Sequence, residues 1–252
     1  MLLLRSLAFN FLFYLSVLVH AVLFMPTLAM SRQAVIRATQ SWARTVDFLL
    51  RTVVGVRIEC RGLENIPPGP LLVAAKHQSA WETFGLLLFL TDPVFVMKRE
   101  LMRIPFYGWY CRRAGMIPVD RSGGGAALRR LAEDARGAMA LGRQIIIFPE
   151  GTRRPVDAAP DYKPGIGLLY GQLGVPCVPV ALNSGLVWPR RTFRRYPGTI
   201  IVEFLPPIPP GLPRAEFMAR LQEGIERAST ALVAEGRAGA IGPQPVAETT
   251  AS

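Results

Sequence analysis

Histidine is almost absent from this chain, with His20 and His77 the only two in 252 residues, so any imidazole chemistry has to be assigned to one of these. Cysteine is scarce as well. Cys60, Cys111 and Cys177 are odd in number, widely spaced and without a Cys-x-x-Cys pair, which argues against a disulfide framework or a thiol zinc site and fits a reducing compartment. The chain has no Gly-x-Ser-x-Gly turn to carry a serine nucleophile. Its run of glycines, Gly123 to Gly125, is not followed by Gly-Lys-Ser/Thr and so is not a P-loop. There is no internal repeat. Acidic residues are few, 18 against 29 basic ones, and the net charge of +11 calls for an anionic partner: nucleic acid, a phospholipid surface or a phosphorylated substrate.

Apolar sequence is abundant. Hydrophobic residues make up 50% of the chain, and apolar sequence beside so much positive charge favours lipid among those partners. Leu7 to Met30 carries no charged residue; as one helix its 24 positions would reach about 36 Å, enough for the hydrocarbon core of a bilayer. Asn10, Ser16 and His20 read as tolerable interruptions. Arg5 precedes the run and Arg32, Arg37, Arg44 and Arg51 follow it, which places the rest of the chain on the cytoplasmic side. A cleaved signal peptide is the competing reading, although the run exceeds the usual length of such a segment. Ala34 to Val54 mixes apolar and arginine positions at near-helical spacing, as in an interfacial amphipathic helix or one packed on a core.

Beyond residue 54, short β-branched runs alternate with helical ones. Strands are expected at Val56 to Cys60, Leu71 to Ala75, Val94 to Met97, Met116 to Val119, Gln144 to Phe148, Val175 to Val180 and Thr199 to Phe204. Helices are expected at Glu82 to Leu90, Gly125 to Leu141, Ile166 to Leu173 and Arg214 to Val233. This alternation predicts an α/β fold, a mixed and mostly parallel sheet flanked by helices, with the chemistry in loops at the carboxyl ends of strands. The expected organisation is a membrane anchor with an amphipathic helix over residues 1–53, a catalytic domain over 54–235 and a disordered tail over 236–252.

Five stretches fall in such loops or strands. Lys76-His77-Gln78-Ser79-Ala80-Trp81-Glu82-Thr83 has the form of a capping box, with Ser79 at the N-cap and Glu82 at N3. On one continuous helix residues five apart point about 140° away from each other, but a His in the preceding turn and a Glu in the first helical turn can meet. Glu82 then either supports His77 as a general base towards a hydroxyl or only caps the helix. Gly115 to Arg121 ends a strand in Asp-Arg, fit to hold a phosphate or to form a surface pair. Ile145 to Arg154 runs a buried strand into Pro149-Glu150-Gly151-Thr152-Arg153, packing a carboxylate, a hydroxyl and a guanidinium at one strand end, or else closing a turn with a local ion pair. Gly174 to Ala181, stiffened by two prolines, suits an acyl groove or a core equally. Trp188 to Arg195 interleaves aromatics with arginines, as at an anionic membrane surface or, less well, on single-stranded nucleic acid.

Together, His77-x4-Glu82, Gly115 to Arg121, Phe148 to Arg153 and Val175 to Ala181, in this order and spacing, resemble the four blocks of the glycerolipid acyltransferase family, and in particular its members that act on lysophosphatidic acid. The resemblance covers roughly Val54 to Leu232, and the N-terminal apolar segment is similar to that family's membrane anchor. The first block usually ends in Asp where this chain has Glu82. The resemblance implies transfer of a fatty acyl group from acyl-CoA or acyl carrier protein to the sn-2 hydroxyl of lysophosphatidic acid, giving phosphatidic acid. His77 would be the base and Glu82 its support; Lys98, Arg121 and Arg153 would gather the phosphate; Glu150, Gly151 and Thr152 would shape the glycerol site. No metal, bound cofactor or nucleic acid is expected. The alternatives are another lyso-lipid acceptor, such as a lyso-ornithine lipid or lysophosphatidylcholine, and a non-catalytic lipid-binding protein at the membrane surface.

Overall fold

The computed structural model describes residues 1–120 and 123–239. The uncharged stretch from residue 7 to 30 is not one helix. Helix α1 is Leu2–Leu23, and the chain then leaves the α conformation through the 3-10 turn Met25–Ala29, in which Pro26 has no N–H to continue the ladder. The residues read as interruptions are the packing face of α1. Ser6 and Ser16 are buried, Asn10 and His20 are half-buried, and all four are hydrogen-bonded inward, Asn10 Nδ2 to the Phe193 carbonyl at 2.6 Å and His20 Nε2 opposite Thr45 at 3.2 Å. The opposite face, Leu4, Leu7, Phe11, Leu15, Leu18 and Val22, is apolar and exposed.

Helix α2 is Arg32–Leu49, started by Ser31, whose hydroxyl accepts from the Ala34 N–H. A π turn, Leu50–Val54, extends it, and Gly55 ends it in the left-handed conformation at φ 87°. Of the two readings of this stretch, core packing holds: Val46, Leu50 and Val54 are completely buried in the same apolar cluster as Val73, Ile146 and Val178 of the sheet. Residues 32–54 are thus part of the domain core.

All seven expected strands form: β1 Val56–Arg61, β2 Leu71–Ala75, β3 Pro93–Lys98, β4 Ile117–Val119, β5 Gln144–Ile147, β6 Cys177–Leu182 and β7 Gly198–Phe204. They make one sheet in the order β1-β7-β6-β2-β5-β3-β4, parallel at every pairing except β6 with β7. Both faces are covered, so the central strands are apolar at consecutive positions. In β2, Leu71, Val73 and Ala75 face the α1–α2 side, while Leu72 and Ala74 face the other helices.

The expected helix from Glu82 to Leu90 is one α turn, α3 Glu82–Gly85, passing into a 3-10 turn, Leu86–Phe89. Helix α4, Tyr107–Arg113, was not expected; its sequence, Tyr-Gly-Trp-Tyr-Cys-Arg-Arg, is too short to show a period. On the second face lie α5 Gly124–Ala140, α6 Gly165–Leu173 and α7 Arg214–Ala238. The expected tail therefore starts inside α7, and residues 240–252 of it lie outside the described residues. Strand β6 is core on both faces, with all six residues buried, which settles the fourth stretch as packing. Five strands, β2 to β6, point their carboxyl ends to the same edge of the sheet, and the loops that follow β2, β5 and β6 build the site.

Candidate active site

Two residues beyond β2, the imidazole of His77 is held between an aromatic ring and a carboxylate. It stacks on Phe148 with centroids 3.9 Å apart and planes 15° apart, and its Nδ1 lies 3.4 Å from Oε2 of Glu82. At this separation Nδ1 lacks an aligned hydrogen-bond partner, a looseness common in catalytic pairs without substrate. A proton on Nδ1, where the carboxylate draws it, leaves Nε2 as the basic nitrogen. The backbone of His77 is fixed on both sides: its N–H donates to Glu150 Oε2 at 3.2 Å and its carbonyl accepts from the Arg154 N–H at 2.7 Å.

Glu82 is completely buried, and three donors surround it. Its Oε1 accepts from the backbone N–H of Ser79 at 2.9 Å, from that of Gln78 at 3.2 Å and from the hydroxyl of Ser184; its Oε2 accepts from Ser79 at 3.0 Å. Half of the expected capping box is thus present. The Ser79 hydroxyl completes a tighter turn, accepting from the Trp81 N–H at 3.0 Å in place of that of Glu82. Trp81 is completely buried and donates its indole N–H to Asp47 of α2 at 3.1 Å. Its ring lies over Gly85, where a Cβ would come within 2.4 Å of it, so the close approach requires glycine. Burial pushes the Asp47 carboxyl up to about 6, against the opposing hydrogen bond from Trp81.

Of the residues expected at the glycerol site, Glu150 departs from expectation. Its carboxylate is 1% exposed and directed into the protein, 3.0 Å from the amine of Lys76, itself buried and 2.6 Å from Glu226 of α7. Tyr162 donates to the same Glu226 oxygen at 2.9 Å. Burial raises the pKa of Glu150 while the neighbouring Lys76 lowers it. Glu150 is therefore part of the frame under His77 and does not wall a pocket. Gly151 makes the turn at φ 66°, and Thr152 and Arg153 are exposed on its outer side.

Arg153 belongs to a group of cations. Arg190 donates to its carbonyl at 2.6 Å, and burial together with the guanidiniums of Arg191, Arg153 and Arg154 lowers the pKa of Arg190. Among the described residues no carboxylate stands within ion-pair distance of Arg153, Arg190, Arg191 or Arg194. Arg195, from the same loop, is buried. Its guanidinium stacks 4.3 Å from the Trp188 ring and donates to the Thr192 and Arg194 carbonyls and to Asn10 of α1. Lys98 stands exposed at the end of β3, and no hydrogen bond or ion pair among the described residues joins it to Arg153. Arg121 lies outside the described residues; nearby, Arg99 and Asp120 approach to 3.5 Å. Sequence reading missed Ser184, Glu226 and Tyr162 as parts of this site, since each joins it through a contact between distant segments, and it grouped Arg195 with surface arginines where the structure buries it.

Comparison with known proteins gives a consistent picture. A family model described as "Acyltransferase" matches residues 57–183. The 1-acyl-sn-glycerol-3-phosphate acyltransferase of Pseudomonas aeruginosa is 43% identical over 163 residues, 65% of this chain and 63% of that protein. The 1-acyl-sn-glycerol-3-phosphate acyltransferase alpha of Mus musculus is 34% identical over 158 residues, 61% of this chain and 55% of its own length. The chain thus spans under two thirds of the length of these curated relatives. The crystal structure of the 1-acyl-sn-glycerophosphate (LPA) acyltransferase of Thermotoga maritima has the same fold, with a TM-score of 0.78 over 92% of this chain and 98% of that one, at 24% identity.

Proposed function

Because the chain belongs to the acyltransferase family, we propose that it transfers a fatty acyl group from an acyl thioester to the sn-2 hydroxyl of lysophosphatidic acid, giving phosphatidic acid. The observation that carries this reading is the pairing of His77 with a buried, hydrogen-bonded Glu82 on the sheet edge that also holds Arg153, Arg190, Arg191 and Arg194, which among the described residues have no carboxylate within ion-pair distance. The names of the Pseudomonas and mouse relatives favour lysophosphatidic acid over other lyso-lipids.

In this mechanism Nε2 of His77 takes the proton of the sn-2 hydroxyl as its oxygen attacks the thioester carbonyl carbon. Glu82 stabilises the imidazolium that forms. The tetrahedral intermediate collapses with cleavage of the carbon–sulfur bond, and the imidazolium returns its proton to the departing thiolate. The product is the ester and a free thiol, without an acyl-enzyme. Arg153, with Lys98 and Arg121, binds the phosphate, a task for which the guanidinium fork is well shaped. Gly151 and Thr152 lie against the glycerol. Glu150, with Lys76, sets the position of the His77 backbone. The donor is acyl-CoA or acyl carrier protein.

The exposed apolar face of α1 lies on the membrane surface, with the catalytic domain on the cytoplasmic side. The 189–195 loop is tied to α1 through Asn10 and Ser6 and presents Arg191, Phe193 and Arg194 beside that face, a combination suited to anionic headgroups.

The test is thiol release by the full chain in mixed micelles, with acyl-CoA or acyl carrier protein as donor and lysophosphatidate, lysophosphatidylcholine or a lyso-ornithine lipid as acceptor. Release with lysophosphatidate that is lost in His77→Ala supports the reading. Release only with another acceptor keeps the mechanism and replaces the substrate, and no release with either donor leaves a lipid-binding role.

A further inference from the structure

We propose that Ser184 is a positioning residue of the acyl transfer, fixing the Glu82 carboxylate so that Oε2 faces the imidazole of His77. This rests on the function proposed above and adds to it a residue from a third loop. Ser184 lies two residues beyond β6, just outside the segment matched by the family model. Its side chain is completely buried and its hydroxyl donates to Oε1 of Glu82, a partner 102 residues away. A hydroxyl has one proton, and Ser184 commits it to this carboxylate.

The other donors to Glu82, the N–H groups of Gln78 and Ser79, belong to the same turn and would follow that turn wherever it moved. Ser184 alone refers the carboxylate to the rigid sheet. Its loop is held independently, since Asn183 accepts from the Ile201 N–H of β7 at 2.8 Å and donates to the Leu232 carbonyl of α7 at 3.2 Å. Gly185 donates its N–H to Gln78 Oε1 at 3.1 Å, and a Cβ there would come within 2.6 Å of Val156 and 3.0 Å of Gln78, so the loop seats on the catalytic turn at backbone distance. With Oε1 taken by two N–H groups and a hydroxyl, Oε2, with one N–H donor, is the oxygen left for Nδ1 of His77. Hydrogen-bond partners behind metal ligands are typically worth about 10–100-fold, and the same order is expected for a partner behind the His77–Glu82 pair.

The experiment measures kcat and acceptor KM for the full chain and for Ser184→Ala, Ser184→Cys, Glu82→Gln and Glu82→Gln/Ser184→Ala, with His77→Ala as reference and melting temperatures for all. The expectation is that Ser184→Ala lowers kcat about 10–100-fold with acceptor KM within about twofold. The loss from Ser184→Ala should shrink in the Glu82→Gln background, because the charge through which Ser184 acts is gone. Ser184→Cys keeps the shape with a larger atom and a weaker donor and should lose turnover at a nearly unchanged melting temperature, which keeps the proposal open to refutation if the alanine variant fails to fold. Full turnover in Ser184→Cys, or losses that multiply in the double variant, overturns it. Full activity in His77→Ala instead removes the general-base reading itself.

Discussion

Two groups of charge stand on the same edge of the sheet and are treated oppositely. Under His77, the carboxylates of Glu82 and Glu150 and the amine of Lys76 are buried and paired. Around Arg153, the guanidiniums of Arg190, Arg191 and Arg194 are partly or fully exposed and crowd one another, and among the described residues no carboxylate stands within ion-pair distance of them. The first group pays its desolvation cost on folding and is ready before substrate arrives, as electrostatic preorganisation requires. The second keeps its hydrogen-bonding capacity for a ligand. On the proposed function, the reacting groups are fixed by the protein and the binding groups are completed by the substrate.

Three substitutions test that division, in falling order of effect. His77→Ala should lower kcat by about 10³-fold with the far-ultraviolet circular dichroism unchanged; retained turnover would break the comparison at its centre. Glu82→Gln keeps the size of the side chain but removes the charge opposite the imidazole, and should cost about 10²-fold in kcat with little change in acceptor KM. Arg153→Ala should do the reverse, raising the KM for lysophosphatidate about tenfold at nearly constant kcat, because only a substrate-completed contact is lost. An unchanged KM would mean that Arg153 does not touch the phosphate.

The smallest effect concerns stability. The Asp47 carboxyl titrates near 6 in the folded chain against an ordinary value of 3.8, so between these values the folded form binds more protons than the unfolded one. Its contribution is complete below pH 3.8 and is lost as the pH rises through about 6. Asp47→Asn keeps an acceptor for the Trp81 indole, and should stabilise the protein by about 1 kcal/mol at pH 7–8 and by almost nothing at pH 4. Melting curves at the two pH values would show it, and an equal gain at both would assign the effect to packing.

Local pattern carried much of the fold. β-branched runs such as Gln144–Ile147 and Gly198–Phe204 have few other uses between turn signals, and each is a strand in the sheet. It was less informative for short elements. Helix α4 is below the length at which a period can be read, and the helix expected from Glu82 to Leu90 changes to 3-10 geometry at Leu86. In α1, Asn10, Ser16 and His20 were visible as polar positions, but nothing local could say that they face partners inside the protein.

The sequence by itself determined the α/β class, the strands, the placement of His77 and the Glu150–Arg153 turn after strand ends, and that of Glu82 in the helical turn that follows His77, because these follow from periodicity and spacing within some ten residues. Only the tertiary structure decided which way each polar group points. Glu150 turns inward because the amine of Lys76 and the backbone N–H of His77 are there to meet it, and Glu82 is fixed from outside its own turn because β6 delivers Ser184 beside it. A buried charge goes where its partners are, and those partners lie 74, 102 or 150 residues apart along the chain, a distance at which no local pattern carries information.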